Sequence, residues 1–216
     1  MVRDMSERTN NIYNLNYVDL DQTTGTFQMP VLHPIVYKPE KLVGFDRFAT
    51  AAPEDGIHFY LDDYRFERLW KQPQRYIDIL KKFDCVLTPD FSLYTDMPLS
   101  MMVWNVYRSR LLGQMMQNSD LTVIPTVTWA DPRTYDFCFD GLPKFSTLSI
   151  STIGVRRRRT ALKIWQQGVD KVIRRLKPVQ LLIYGDKIEY PFPEEIDVVY
   201  YQNDNIARLR GLADGK

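Results

Sequence analysis

Apolar residues in this chain gather into seven short runs, each closing on polar residues, and several runs lead into stretches with helical spacing. The first four are "KLVGFD" ending at Asp46, "GIHFYLDD" ending at Asp62 and Asp63, "CVLTPDFSLY" with Asp90, Ser92 and Tyr94, and "LTVIPTVTWAD" with Thr126, Thr128, Trp129 and Asp131. "TLSISTIG", "VQLLIYGD" and "IDVVYYQND" complete the set. After the second run, Phe66, Leu69 and Trp70 begin a helical stripe that Pro73 interrupts and Tyr76, Ile77 and Leu80 resume. "LSMMVWNVYRSRLLGQMMQ" predicts a long helix to about Asn118, with Asp96 placed as its cap and Pro98 in its first turn. Leu162, Trp165, Val169, Val172 and Leu176 recur at three- and four-residue steps, which predicts another helix. It stops before Pro178, because the residue ahead of a proline resists helical geometry.

Nearly continuous β-prone runs alternating with amphipathic helices predict an α/β fold with a mainly parallel sheet of about seven strands, covered by helices. The expected form is a TIM-like β/α barrel; an open doubly wound sheet is the alternative. The connections from Asp46 to Gly56 and from Asp186 to Glu195 are too short or too proline-rich for full helices, so the expected barrel is an incomplete one. Residues 1–29, rich in Asn, Asp, Thr and Ser, are expected to be a polar N-terminal extension, an arm or a cover. Residues 30–216 are expected to form a single α/β domain. Pro30, Pro34 and Pro39 forbid a helix at their junction.

Composition narrows the function. A chain of 216 residues with 44% hydrophobic and 25% charged residues matches an ordinary globular domain with a real core. A formal net charge of +1 gives no bulk support to nucleic-acid binding, so only a local basic patch could supply it. Cys85 and Cys138 lack metal-ligand spacing and read as buried free thiols. The polar start lacks the apolar core of a signal peptide, and no run approaches a membrane span, so a cytoplasmic location is the expectation. No GxGxxG follows the first strand and no GxxxxGK[ST] occurs, so the common nucleotide fingerprints are missing.

In parallel α/β folds the ligand lies beyond the carboxyl ends of the strands. That rule alone gathers Asp46, Asp62, Asp63 and Asp90 with Ser92, Tyr94, Thr126, Thr128, Trp129, Asp131, Ser149, Ser151 and Thr152 into one cup, completed by Tyr184, Asp186, Gln202 and Asn203. Asp90 and Asp62 are the candidate catalytic groups. They could serve as an acid–base pair, or bind a divalent cation together with Asp63. The plainer reading is that some of these aspartates cap the helices that follow. Trp129 and Tyr94 could stack on a ligand ring, or Trp129 could simply close the barrel. Asn105 and Arg108 share one face of the long helix and Gln114 is turned away from both; a solvated helix side explains all three equally well.

"LSISTIGVRRRR" divides by the same logic. Leu148 and Ile150 share one strand face, and Ser149 and Ser151 the other. The chain then turns at Gly154 into a helix whose first amides could hold an anion, with Arg156 completing a phosphate site. Helical geometry spreads successive residues by about 100°, so at most one or two of Arg156 to Arg159 reach the cup and the rest face outward.

The ordered motifs "TPDFSLYTDMP", "LLGQMMQNSDLTVIPTVTWAD", "FDGLPKFSTLSISTIG" and "LLIYG" resemble an uncharacterised domain family of bacteria, phages and mobile elements, over about residues 30–210. The resemblance implies signature positions at Asp90, Ser92, Tyr94, Pro98, Asn105, Gln114, Pro125, Trp129, Asp140, Gly141, Ser151, Gly154, Tyr184 and Gly185. Many of them fall in the strand-end cup, which strengthens the case for a site without naming a reaction. The chain has "QNSDLTVIP" where the family leads one to expect a glycine before the fourth strand. Two functions stay open: an enzyme for a phosphate-bearing or nucleotide-like small molecule, and a non-catalytic binding module that engages a host macromolecule, a small ligand or nucleic acid. A carbohydrate hydrolase with paired carboxylates is a third possibility.

Overall fold

All seven apolar runs become strands, and every one of them lies parallel to its neighbours. The structure, a computed structural model, describes residues 11–203. Strands β1 (Thr23–Thr24) and β2 (Met29–Pro30) form a small antiparallel hairpin ahead of the main body. The first parallel sheet has the order β3 (Leu42–Gly44), β4 (Gly56–His58), β5 (Cys85–Leu87), β6 (Val123–Ile124). The second has the order β7 (Thr147–Ser151), β8 (Gln180–Tyr184), β9 (Asp197–Tyr201). Helices α1 (Glu67–Lys71) and α2 (Pro73–Leu80) precede β5; α3 (Leu99–Gln117) precedes β6; α4 (Arg159–Leu176) precedes β8.

The seven-stranded barrel expected from the sequence gives way to two sheets. Strand β6 is two residues long, and Pro125 behind it has no N–H to continue a ladder. A single parallel bridge, Thr126 to Ser149, then joins the sheets. No ladder pairs β9 with β3 among the described residues.

Period-two alternation decides what each strand face buries. Val43, Ile57, Val86 and Val123 point to the helix side of the first sheet and pack with Leu69, Ile77, Leu80 and Leu111. Leu148, Ile150, Leu181 and Ile183 do the same in the second sheet, against Trp165, Val169, Val172 and Leu176 of α4. The opposite faces share one further cluster: Leu42, Leu87 and Ile124 from one sheet meet Leu182, Tyr184 and Tyr201 from the other. The two sheets therefore enclose a common interior.

The connections expected to lack full helices do lack them. Phe45–Thr50 forms only 3-10 turns, and no helix fills residues 185–195. Helix α3 departs from expectation. Asn105, Arg108 and Gln114 are buried rather than solvated: Asn105 and Arg108 meet Ser92, Phe91 and Glu67, and the N-terminal segment crosses the helix at Gln114. The Gln114 amide donates to the carbonyls of Gln22 and Val31, and Gln117 exchanges hydrogen bonds with the His33 backbone. A Cβ on Gly113 would stand 2.6 Å from Thr88 Cγ2 and 3.0 Å from Leu32 Cδ2, so Leu32 packs closely on the helix there. Pro98, not Asp96, occupies the cap position of α3. Asp120 adopts φ 64°, so an aspartate supplies the left-handed turn ahead of β6 that a glycine was expected to make. Both cysteines are buried free thiols.

Candidate functional site

A cavity of about 620 Å³ opens at the carboxyl ends of the strands. Asp62, Asp90, Ser92, Tyr94, Thr128, Trp129, Ser151 and Gly154 all line it, so about half of the strand-end residues singled out from the sequence converge on one space. Ser149, Tyr184, Asn105 and Arg156 are not on its lining.

Asp90 follows Pro89 just beyond β5 and is half-buried in the cavity wall. Burial pushes its carboxyl up to about 7, and the nearby Asp63 charge adds to the rise. The Thr128 hydroxyl donates to Asp90 Oδ1 and works in the opposite direction. The group thus stands near the point where it can both take and give a proton at neutral pH. Tyr60 lines the cavity too, and its hydroxyl lies 2.6 Å from Ser149 Oγ. Burial, and then the Asp90 charge, hold the Tyr60 phenol well above its ordinary range, so it stays protonated.

The wall beneath Tyr94 is tied by a chain of polar contacts. Asp63 accepts from the Ser92 hydroxyl at 2.7 Å and from the Ser92 amide at 3.1 Å. The Ser92 carbonyl accepts from Asn105 Nδ2 at 2.8 Å, and Asn105 Oδ1 accepts from Arg108 Nη2 at 2.7 Å. Arg108 pairs with Glu67 at 2.9 Å and lies 3.8 Å from the Phe91 ring centroid. Asp63 is therefore engaged by Ser92 instead of capping a helix. Asp62 holds the cap position but makes no capping bond; its side chain is 71% exposed, with Arg65 Nε 3.8 Å away. Asn105 acts from behind, by positioning Ser92. No group of three or more His, Cys, Asp or Glu residues is disposed to hold a metal among the described residues, so the three-aspartate cation site does not form.

The opposite wall is α4. Its Ala161, Ile164 and Trp165 line the cavity. The Trp129 indole N–H donates to the Ile164 carbonyl at 3.2 Å, and its ring lies so close to Gly168 that an added Cβ would stand 1.9 Å from it. Trp129 is thus tied into the α4 wall while still lining the cavity. Trp165 Nε1 donates to the Ser151 carbonyl at 2.9 Å, and Ser151 Oγ accepts from the Ile153 amide at 3.0 Å. Gly154 has φ 77° and open space around it.

The helix does not start at Gly154. A 3-10 turn, Val155–Arg157, intervenes, and α4 begins at Arg159. The first amides of α4 therefore stand five residues beyond the glycine. Arg156 is exposed and off the cavity lining, as are Arg158 and Arg159; the Arg157 side chain lies outside the described residues. Ser149 and Tyr184 face the interior between the sheets: Ser149 contacts Tyr60, and the Tyr184 ring lies 5.1 Å from that of Tyr60 and 4.2 Å from that of His58.

Tyr60, Arg65 and Trp165 escaped the sequence reading. Alternation along Gly56, His58 and Tyr60 carries the signal for Tyr60, since all three share the inner face. Trp165 reads as a core position of α4, and it is one; it also reaches the cavity.

Residues 21–202 match the family described as "Domain of unknown function (DUF4417)". The chain belongs to this family. It is also similar to two phage proteins, each named "Gene 1 protein". The match to that of Mycobacterium phage L5 is 42% identical over 168 residues, 76% of this chain and 73% of the phage protein. The match to that of Mycobacterium phage D29 is 40% identical over 167 residues, 76% of this chain but 62% of the phage protein, so the chain spans less than two thirds of that relative. No solved structure matches. Among the described residues of this DUF4417 chain, no helix is long and apolar enough to cross a membrane.

Proposed function

We propose that the strand-end cavity is the site of an enzyme for a phosphate-bearing, nucleotide-like small molecule, with Asp90 as its proton-transfer group. The observation that carries this reading is convergence: a carboxyl, hydroxyls and aromatic rings from β5, β6, β7 and their loops line one cavity of about 620 Å³. That volume lies within the usual range for small-molecule sites, roughly 300–1,000 Å³. Asp90, raised to about 7, suits proton transfer at neutral pH. Tyr94 is the ring free to stack on a base, and the open turn at Gly154 gives room for a phosphate beside Arg156. We read the two sheets as arcs of one interrupted β/α barrel, supported by the sequential strand order and the shared interior.

A melting-temperature screen with nucleoside monophosphates and sugar phosphates tests the reading. A hit should raise the melting temperature of the wild type, and Asp90→Asn should keep the binding but lose turnover. If no phosphate-bearing compound shifts the wild type, the proposal fails.

A non-catalytic binding module is the second reading, and one observation favours it. Asp63 is occupied by Ser92 and Asp62 faces solvent, so no second buried carboxyl lines the cavity among the described residues. Binding without turnover by the wild type would select this alternative.

A further inference from the structure

We propose that the rim of this cavity is a surface for single-stranded nucleic acid, with one nucleotide seated in the cavity and its neighbours running across the start of α4. The proposal rests on the nucleotide reading of the cavity and adds what presents the nucleotide.

The first observation is the character of the mouth. Tyr94 and Ile153 line the cavity yet are 58% and 47% exposed. Tyr64, 75% exposed, stands beside Arg65, whose guanidinium lies 5.7 Å from its ring centroid. A site for a free mononucleotide gains by closing over its ligand; this one leaves ring faces in solvent around an open mouth. Bases of a single strand stack on such rings with little regard to sequence, at roughly 1–3 kcal/mol per base.

The second observation is charge. Arg156, Arg158 and Arg159 are exposed, and their side chains have no ion-pair or hydrogen-bond partner among the described residues. Arg158 is the extended cap residue of α4, the helix whose Ala161, Ile164 and Trp165 line the cavity. The first turn of α4 has no acidic residue and its cap position makes no side-chain bond. Cations there oppose the helix dipole, and a phosphate backbone crossing the helix start would relieve that conflict.

Rings that bind bases and cations that bind phosphates thus flank a cavity sized for one nucleotide. A duplex fits poorly, because its bases are stacked and paired and one would have to be extruded to enter. An acidic peptide would satisfy the arginines but would leave the exposed rings and the cavity without a role.

Fluorescence anisotropy with a labelled, mixed-sequence 12-mer of single-stranded DNA, and the same in RNA, tests the proposal. At least one should bind at 50 mM salt and weaken by about 40-fold at 300 mM, the loss expected for three neutralised phosphates on a single strand. The combined substitution Arg156→Gln, Arg158→Gln and Arg159→Gln should weaken binding at least tenfold at 50 mM salt. Tyr94→Ala should weaken it independently. A nucleoside monophosphate that occupies the cavity should compete with the 12-mer, and the double variant Arg158→Gln, Arg159→Gln, which leaves Arg156 in place, should still bind it. If monophosphates shift the melting temperature while neither 12-mer binds, this proposal falls and the cavity reading stands. Equal affinity for duplex, equal affinity for poly-glutamate, or 12-mer binding indifferent to the arginine substitutions would each overturn it.

Discussion

Arginines stand on both sides of the cavity, and they are kept in opposite ways. On α3, Arg108 is bound by Glu67 and Asn105 and stacked on Phe91. Arg110, further along α3, is buried against the carbonyls of Thr126, Cys138 and Asp140. Burial lowers its pKa to about 10, which still leaves it charged at neutral pH. At the start of α4, Arg156, Arg158 and Arg159 have solvent around them. The α3 pair finds acceptors inside the fold and contributes to its stability. The α4 group weakens the helix it begins. Residues that cost stability and find no internal partner point to a partner outside the fold.

The largest test of this contrast is Arg108→Ala. It removes the Glu67 pair, strands Asn105 Oδ1 and loosens the Ser92 loop, at an expected cost of about 4 kcal/mol in urea unfolding. A loss below about 1 kcal/mol, the range of exposed ion pairs, would put Arg108 in the same class as the α4 arginines.

Asp90 lies between the two walls and gives the next effect. Its folded value of about 7 exceeds the ordinary carboxyl value of about 4. Between those values the unfolded chain releases the proton and the folded chain keeps it. Stability should therefore fall as the pH rises from about 4 to about 7, then level off. Asp90→Asn should flatten this slope, gaining roughly 4 kcal/mol on the wild type between pH 4 and pH 8. Melting curves of both proteins across that range decide the matter; parallel curves would mean that Asp90 ionises normally.

The smallest effect has the opposite sign. Arg159→Glu places an anion in the first turn of α4 and should stabilise the protein by about 1 kcal/mol. The same change should weaken any polyanion bound at the rim. A destabilising Arg159→Glu, measured by the same urea titration, would show that this arginine has a partner within the fold.

Strand-end geometry was legible in the sequence because it depends on local alternation. "TLSIS" displays its two faces directly, and Leu148 and Ser149 land on the helix side and the inner side as their positions require. The destination of a polar side chain is a long-range matter. Asp63 meets Ser92 29 residues away, and Gln114 meets Gln22 92 residues away. No period along the chain encodes such pairs, which is why α3 looked solvated and Asp63 looked like a cap. The break between the two sheets lies at Pro125, where one missing N–H ends a ladder that hydrophobic patterning alone would have continued. Gly168 shows the reverse case: a glycine inside an amphipathic helix was a readable sign of something pressed against it, and that something is Trp129.

The segment lying across α3 also bears on how the chain reaches this state. Residues 22–33 are made early in synthesis, but the glutamines that hold them, Gln114 and Gln117, come more than 80 residues later. Until α3 is complete, the segment has no place to settle and the outer face of α3 has no cover. Contacts this distant in sequence slow folding, because the loop between them must close before any of them forms. The strap is thus written first and fastened late, and the nascent chain carries Met29 and Leu32, both buried in the finished protein, in the open until then.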